Sequence, residues 1–171
     1  MNIHPIIVHF PVALLSLYVI FECVRFRRLM ISREWFFIKA TLLFAGGLGA
    51  LTALVTGDFG RQLYPDARAI ISAHETFAHW TVVIFGILAL IYLVKVIDML
   101  FGDRLRASKY QKIWNSIVAF DTPLHRGYVI VSLALLGFGV LLTTGALGGS
   151  IVYGASSDPF TQIVNGWFVG K

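Results

Sequence analysis

The sequence predicts an all-α integral membrane protein, a four-helix bundle of two repeated helical hairpins with both termini outside. Three observations predict it. Apolar types make up 57% of the 171 residues and charged types only 13%, against about 25% charged in an ordinary soluble domain. Four segments are long and apolar enough to cross a bilayer core, which takes about 20 residues per helix. Eleven of the fourteen Lys and Arg residues fall in or beside two of the connections. So low a charge density excludes a soluble enzyme, a disordered tail and a nucleic-acid module, and the net charge of +5 needs no acidic ligand to explain it.

The first span runs from about 5 to 24. No basic residues precede it and no small-residue cleavage pattern follows, so it reads as a span and not as a cleaved leader. Cys23 at its end is the single cysteine. It excludes an internal disulfide and an all-cysteine metal site, and it is expected to be a packed thiol. Arg25, Arg27, Arg28 and Arg33 then lead into the second span, about 35 to 55, with Lys39 just inside it. The third span runs from about 77 to 96, with Lys95 near its end. Arg104, Arg106, Lys109, Lys112 and Arg126 fill the connection to the fourth, about 128 to 144. Lys and Arg accumulate on the cytoplasmic side. The expected placement is therefore a bacterial inner membrane, multi-pass, with N- and C-termini periplasmic.

Within the long inner connection, Ile113, Trp114, Ile117 and Phe120 recur at helical spacing. They suggest an amphipathic helix on the inner surface, with an ordinary connector as the alternative. Asp121, Thr122 and Pro123 read as a cap and first turn for span four. Residues 1–153 thus form the transmembrane domain and 154–171 a periplasmic tail too short to span. The tail carries Phe160, Ile163, Val164, Trp167 and Phe168, expected to dock on the outer leaflet or on a partner protein.

The two hairpins share motifs. His4 to Phe10 and His74 to Trp80 both read His-x4-His followed by an aromatic residue, opening spans one and three. Thr56-Gly57-Asp58-Phe59-Gly60 and Thr144-Gly145-Ala146-Leu147-Gly148 both read Thr-Gly-x-x-Gly, closing spans two and four. The shared order makes the hairpin the repeat unit, related to its copy by a pseudo-two-fold axis along the membrane normal. In an up-down bundle spans one and three are diagonal, so His4, His9, His74 and His79 are expected at one outer level.

Histidine inside a span is costly and usually faces the interior. Neutral imidazole is a common metal ligand. Diagonal helices lie roughly 12–14 Å apart, from a neighbour spacing of 8–10 Å. That gap suits two imidazoles on one haem iron better than a bare ion. Five helical residues turn about 140° net, so the two histidines of one span cannot share a face. His9 and His79 are the expected axial ligands, with His4 and His74 beside the ring or at a second site, and the reverse pairing open. The competing reading is four structural histidines satisfying backbone groups at helix ends, Ile7 included, whose carbonyl Pro11 frees. Proton or quinone chemistry is a third. His125 beside Arg126 reads as interfacial.

Asp58 and Glu75 stand near the histidine level, as imidazole-orienting carboxylates or as solvated charges. No Cys-x-x-Cys-His motif, phosphate loop or nucleophile–base pair is present, so a haem would be b-type and catalysis by this chain alone is not expected. Gly46, Gly47, Gly49, Gly137 and Gly139 suit close helix packing. Phe10, Phe59, Phe77 and Trp80 suit an aromatic belt or the flank of a ring.

The opening HPIIVHFPVALL and the ending TTGALGGSIVY together resemble an uncharacterised bacterial family of predicted four-span membrane proteins. That family opens with His-Pro-x-x-Val-His-Phe-Pro, here His4, Pro5, Val8, His9, Phe10 and Pro11. It closes with Thr-Gly-x-Leu-Gly-Gly-x-x-Val-Tyr, here Thr144, Gly145, Leu147, Gly148, Gly149, Val152 and Tyr153. Gly57 and His74 match further family positions. The resemblance implies the fold and a membrane location, and association with respiratory and cytochrome components. The chain is also similar to membrane b-type cytochromes in placing paired histidines on a four-helix bundle, although its histidine spacing differs.

The expected function is a membrane electron-transfer subunit binding haem b at the outer ends of spans one and three. Its expected partners are the lipid bilayer, subunits of a redox complex or a periplasmic redox protein, and quinone, with no nucleic acid. The alternatives are a cofactor-free structural subunit of a respiratory or other assembly, and a metal-handling protein. The last is disfavoured by the lack of acidic residues at mid-span.

Overall fold

The computed structural model describes residues 4–60, 67–126, 128–154 and 156–169. Among the described residues there are helices and no strand: α1 (His4–Cys23), α2 (Arg27–Met30), α3 (Arg33–Gly60), α4 (Arg68–Arg106), α5 (Gln111–Arg126), α6 (Val129–Tyr153) and α7 (Pro159–Phe168). Helices α1, α3, α4 and α6 each have the length and apolarity to cross a membrane. At 39 residues α4 is about 58 Å long, well beyond a bilayer core of about 30 Å, and its ends carry contacts to α7 and α5.

Helix α1 packs chiefly on α3 and α4 chiefly on α6, the two hairpins predicted from the repeat. Across the hairpins α3 packs on α4 and α1 on α6, which leaves α1 and α4 on a diagonal. The central core joins Leu15, Tyr18 and Val19 of α1 to Ala40 and Leu43 of α3, Phe85, Leu88 and Tyr92 of α4, and Ile130, Ala134 and Leu141 of α6. Glycine sets the close approaches. A Cβ on Gly49 would stand 2.9 Å from Phe10 Cδ1 and 3.2 Å from Pro11 Cδ, and one on Gly137 would stand 3.0 Å from Ile84 Cγ2. Gly46 meets Leu15 in the same way, whereas Gly47 and Gly139 face open space.

Local chemistry fixes several helix ends. Ser32 Oγ accepts the Trp35 N–H at 3.1 Å, which caps α3. Gly154, at φ 93°, ends α6 in a conformation that disfavours side chains. Asp158 accepts the Thr161 N–H at 3.0 Å and Pro159 fills the first turn, so α7 starts where a capping residue and proline coincide.

Three expectations change. Asp121 and Pro123 lie inside α5, which continues to Arg126, and do not open span four. Asp121 is buried, on a helix that packs against α4 and α6. The tail is not a loose segment: Val164 of α7 is buried with Ala146 and Leu147 of α6, against Ile70, Ala73 and Phe77 of α4. Cys23 is exposed, not packed. It is the last residue of α1, turned about 100° around the helix from its buried neighbour Glu22. The amphipathic character of α5 holds: Trp114 Nε1 donates to Asp98 of α4 at 3.1 Å, while Ile113, Ile117 and Phe120 are exposed.

Overpacking a tight helix contact costs about 1–3 kcal/mol. Gly49→Val is therefore expected to lower stability by that amount, because the Pro11 ring cannot rotate away. Gly47→Ala is expected to raise stability by about 0.5–1 kcal/mol through helix propensity. Thermal unfolding of the two variants in detergent, followed by circular dichroism, checks the pair; equal shifts would contradict this packing.

Candidate functional site

At one end of the bundle all four spanning helices line a cavity of about 290 Å³. His4 and Val8 come from α1, Ala53 and Gly57 from α3, His74, Glu75, His79 and Thr81 from α4, and Thr144 and Gly148 from α6. The size is near the lower end of ligand pockets. Val55, also in the lining, is 63% exposed, so the chamber opens to the side of the bundle.

The four histidines part company here. His4, His74 and His79 line the cavity and His9 lies outside its lining, although His79 is as much an exposed residue as His9. The net turn of about 140° over five residues separates His4 from His9. Gly57 is the floor beneath His4, where a Cβ would stand 3.4 Å from the ring. Gly148 does the same for His74, at 3.1 Å. The two seats differ by one turn, since Gly57 is the first glycine of its Thr-Gly-x-x-Gly motif and Gly148 the second.

Each cavity histidine is held through Nδ1. His74 Nδ1 lies 2.9 Å from the Thr144 carbonyl oxygen, and His79 Nδ1 lies 2.7 Å from that of Glu75. A carbonyl oxygen only accepts, so both rings donate from Nδ1–H. His4 Nδ1 lies 3.0 Å from Thr56 Oγ1. That hydroxyl spends its own proton on the Thr52 or Ala53 carbonyl, so His4 is the donor as well. In a neutral imidazole the second nitrogen then carries a bare lone pair. His74 and His79 therefore hold Nε2 as the ligating or proton-accepting nitrogen. An Nδ1–H fixed on an oxygen acceptor is also the usual support behind a metal-bound histidine.

His4 and His74 anchor on Thr56 and Thr144, the matching threonines of the repeat. Both rings line the one cavity. His4 is the first residue of α1, outside the apolar span Ile6–Cys23. Burial holds its imidazole below the ordinary value, against the opposing pull of the Ala53 carbonyl. Glu75 lines the cavity beside His74. The side chains of Asp58, Phe59 and His125 lie outside the described residues. Phe77 packs edge-on against Phe168 of α7, with ring centroids 4.6 Å apart, whereas Phe10 and Trp80 are exposed. Among the described residues no three His, Cys, Asp or Glu groups converge as a metal-ion cage.

Sequence reasoning missed a second polar level at the opposite end of the core. Lys39 Nζ donates to Glu22 Oε2 at 2.8 Å, and the Tyr92 hydroxyl donates to the same oxygen. Lys39 and Glu22 are 5% and 3% exposed. Lys39 thus does not act as an interfacial charge, because its partner carboxylate lies inside the core. The available signal was that each breaks an apolar run, and that Glu22 and Tyr92 both stand eighteen residues after the first histidine of their repeat.

These features define a class: a four-helix integral membrane bundle of two hairpins, with a histidine-lined cavity at one end. The chain belongs to the predicted membrane protein family DUF2231, whose profile matches residues 1–156. No curated protein and no solved structure matches the chain.

A histidine whose value is lowered on folding binds protons more readily when unfolded. Its stabilisation is present above the unfolded value of about 6.5 and is lost as pH falls below it. The melting temperature is accordingly expected to drop on acidification from about pH 7 to 5, with a smaller drop in His4→Gln. Nitrogen NMR of histidine-labelled protein at neutral pH is expected to show three rings protonated at Nδ1. Thr56→Val should release one of them at a cost of about 0.5–1.5 kcal/mol.

Proposed function

We propose that the protein is a membrane electron-transfer subunit that holds haem b in the cavity shared by the two hairpins, with His4 and His74 as the axial pair. The observation that carries this reading is that His4 and His74, from opposite hairpins, line one cavity and are each held through Nδ1 by the matching threonine of the repeat. His4 and His74 take the role that the sequence first suggested for His9 and His79. They alone belong to the cavity, to opposite hairpins and to matching threonine anchors.

The donor set fits this group better than a bare cation. A structural or catalytic metal ion takes three or four protein ligands, whereas a porphyrin supplies four itself and needs one or two. Haem b supplies a one-electron couple when bound. The residues of this chain do the rest: Thr56 and Thr144 orient the rings, Gly57 and Gly148 leave room beneath them, and the apolar walls at Val8, Leu54 and Val82 exclude water.

The concentration of Lys and Arg around α2 and α5 supports an inner-membrane placement with this cavity at the periplasmic end. A site there suits exchange of electrons with a periplasmic redox protein or a partner subunit, and its lateral opening suits exchange with quinone. The second reading is a cofactor-free subunit of an assembly, in which the His4–Thr56 and His74–Thr144 bonds serve only to tie each hairpin.

Reduced-minus-oxidised absorption of the protein purified from membranes, with haem extraction, separates the two. The expected result is a b-type spectrum that His4→Ala and His74→Ala abolish and His9→Ala retains, all three variants inserting normally. A purified protein with no Soret band would refute the haem reading.

A further inference from the structure

We propose that α7 lies in the bilayer leaflet at the cavity end of the bundle, so that the histidine cavity opens into lipid and receives its ligand through that leaflet. This does not rest on the haem reading. The depth of α7 is set by what it packs on. Its Val164 is buried with Ala146 and Leu147 of α6, and Asn165 donates from Nδ2 to Ser150 Oγ. These α6 residues lie three to seven positions before Tyr153, the end of that spanning helix, or about 5–10 Å at 1.5 Å per residue. The chain therefore doubles back after Gly154 and lies alongside the span, not beyond it. Counted from Val129, the start of α6, about 20 residues cross a bilayer core, which puts the edge of the core near Gly148.

At about 100° per residue, α7 divides into three sectors roughly 120° apart. Thr161, Val164 and Asn165 face the bundle and are buried. Phe160, Ile163 and Trp167 form a second sector that is exposed, Trp167 to 75%. Gln162 and Gly166 form the third, also exposed. Two of the three bundle-facing residues are polar, while the large apolar side chains point away from the protein. Water around the helix would favour the opposite arrangement. An apolar sector beside a small polar one suits a helix in the headgroup–acyl boundary, with its aromatic side chains toward the lipid. Tyr153, exposed at the end of α6, adds another aromatic at this level. No charged residue lies between Pro159 and Phe168. Nothing on α7 therefore steers a charged protein partner to it, and its hold on lipid rests on apolar area alone.

The same level carries the cavity. Gly148, beneath His74, follows Leu147, on which α7 packs. Phe77, three residues past His74, meets Phe168 of α7 edge-on. On the other hairpin Val55 stands next to Thr56, the anchor of His4, inside the spanning segment Arg33–Gly57. Val55 both lines the cavity and is exposed on the outside of the bundle. With the edge of the leaflet at α7, this opening faces acyl chains and not water. The ligand that fits such an entry is an amphiphile dissolved in the leaflet. Its apolar body meets Val8, Leu54 and Val82, and its polar group meets the imidazoles.

The test is spin-label accessibility in the full chain, reconstituted in phosphatidylcholine vesicles, with Cys23→Ser as the background. Single labels are placed by Phe160→Cys, Ile163→Cys, Trp167→Cys and Val55→Cys. Each is expected to collide more with oxygen, which concentrates among acyl chains, than with a water-soluble nickel chelate. Gln162→Cys is expected to show the reverse. The native Trp167 gives an independent reading: brominated lipid should quench a component of the fluorescence that Trp167→Phe removes. It carries the test should a labelled variant fail to fold. Nickel access across the Phe160, Ile163 and Trp167 sector would overturn the proposal, as would closure of that sector to both reagents under a second copy of the chain. Nickel access at Val55, or Trp167 emission untouched by brominated lipid, would overturn it as well.

Discussion

A polar group inside a bilayer must find its partner within the protein, because the lipid offers none. The rest of this structure depends on that constraint. The bundle core is apolar over most of its length, from Leu15 and Leu43 to Phe85, Leu88 and Leu141. Two polar levels flank this core, and at each the partners come from more than one helix. At one level histidines of α1 and α4 bond to threonines of α3 and α6. At the other a glutamate of α1 takes a lysine of α3 and a tyrosine of α4. These contacts help hold the hairpins in register as well as supplying reactive atoms.

The sequence repeat accounts for the two levels. Two hairpins of the same orientation bring equivalent residues to opposite sides of one line, so a side chain that turns inward in one copy meets its counterpart from the other. His4 faces the same cavity as His74, and Glu22 meets Tyr92. The two hairpins are not identical. Glu22 answers a tyrosine and not a second acid, which avoids two buried carboxylates at one point. His74 meets the second glycine of its motif, one turn nearer the end of the bundle, whereas His4 meets the first of its own.

Most of the fold was legible in the sequence, because length, apolarity and the distribution of Lys and Arg are properties of single segments. The hairpins were legible from the order of their motifs. Less visible were features that depend on rotation or on distant pairs. The arithmetic of five residues shows that His4 and His9 diverge, but not which one turns inward. Pro5 leaves the direction of His4 open, and only the position of Thr56 decides it. Glu22 and Lys39 each read as a charge near the end of a span; their pairing is a tertiary fact. The docking of α7 was hidden for a related reason, since its apolar residues suit a lipid surface as well as they suit Ala146 and Leu147. The Asp158–Pro159 start was the local sign that the tail is helical.

The central claim is that the first histidine of each hairpin contributes to one shared ligand site. Electron paramagnetic resonance of the oxidised full chain, purified from membranes, tests it most directly. The account predicts a low-spin ferric signal from two imidazole ligands, converted or lost when either His4 or His74 is replaced and unchanged when His9 is replaced. A spectrum without ferric haem, or a low-spin signal that survives both substitutions, would contradict it.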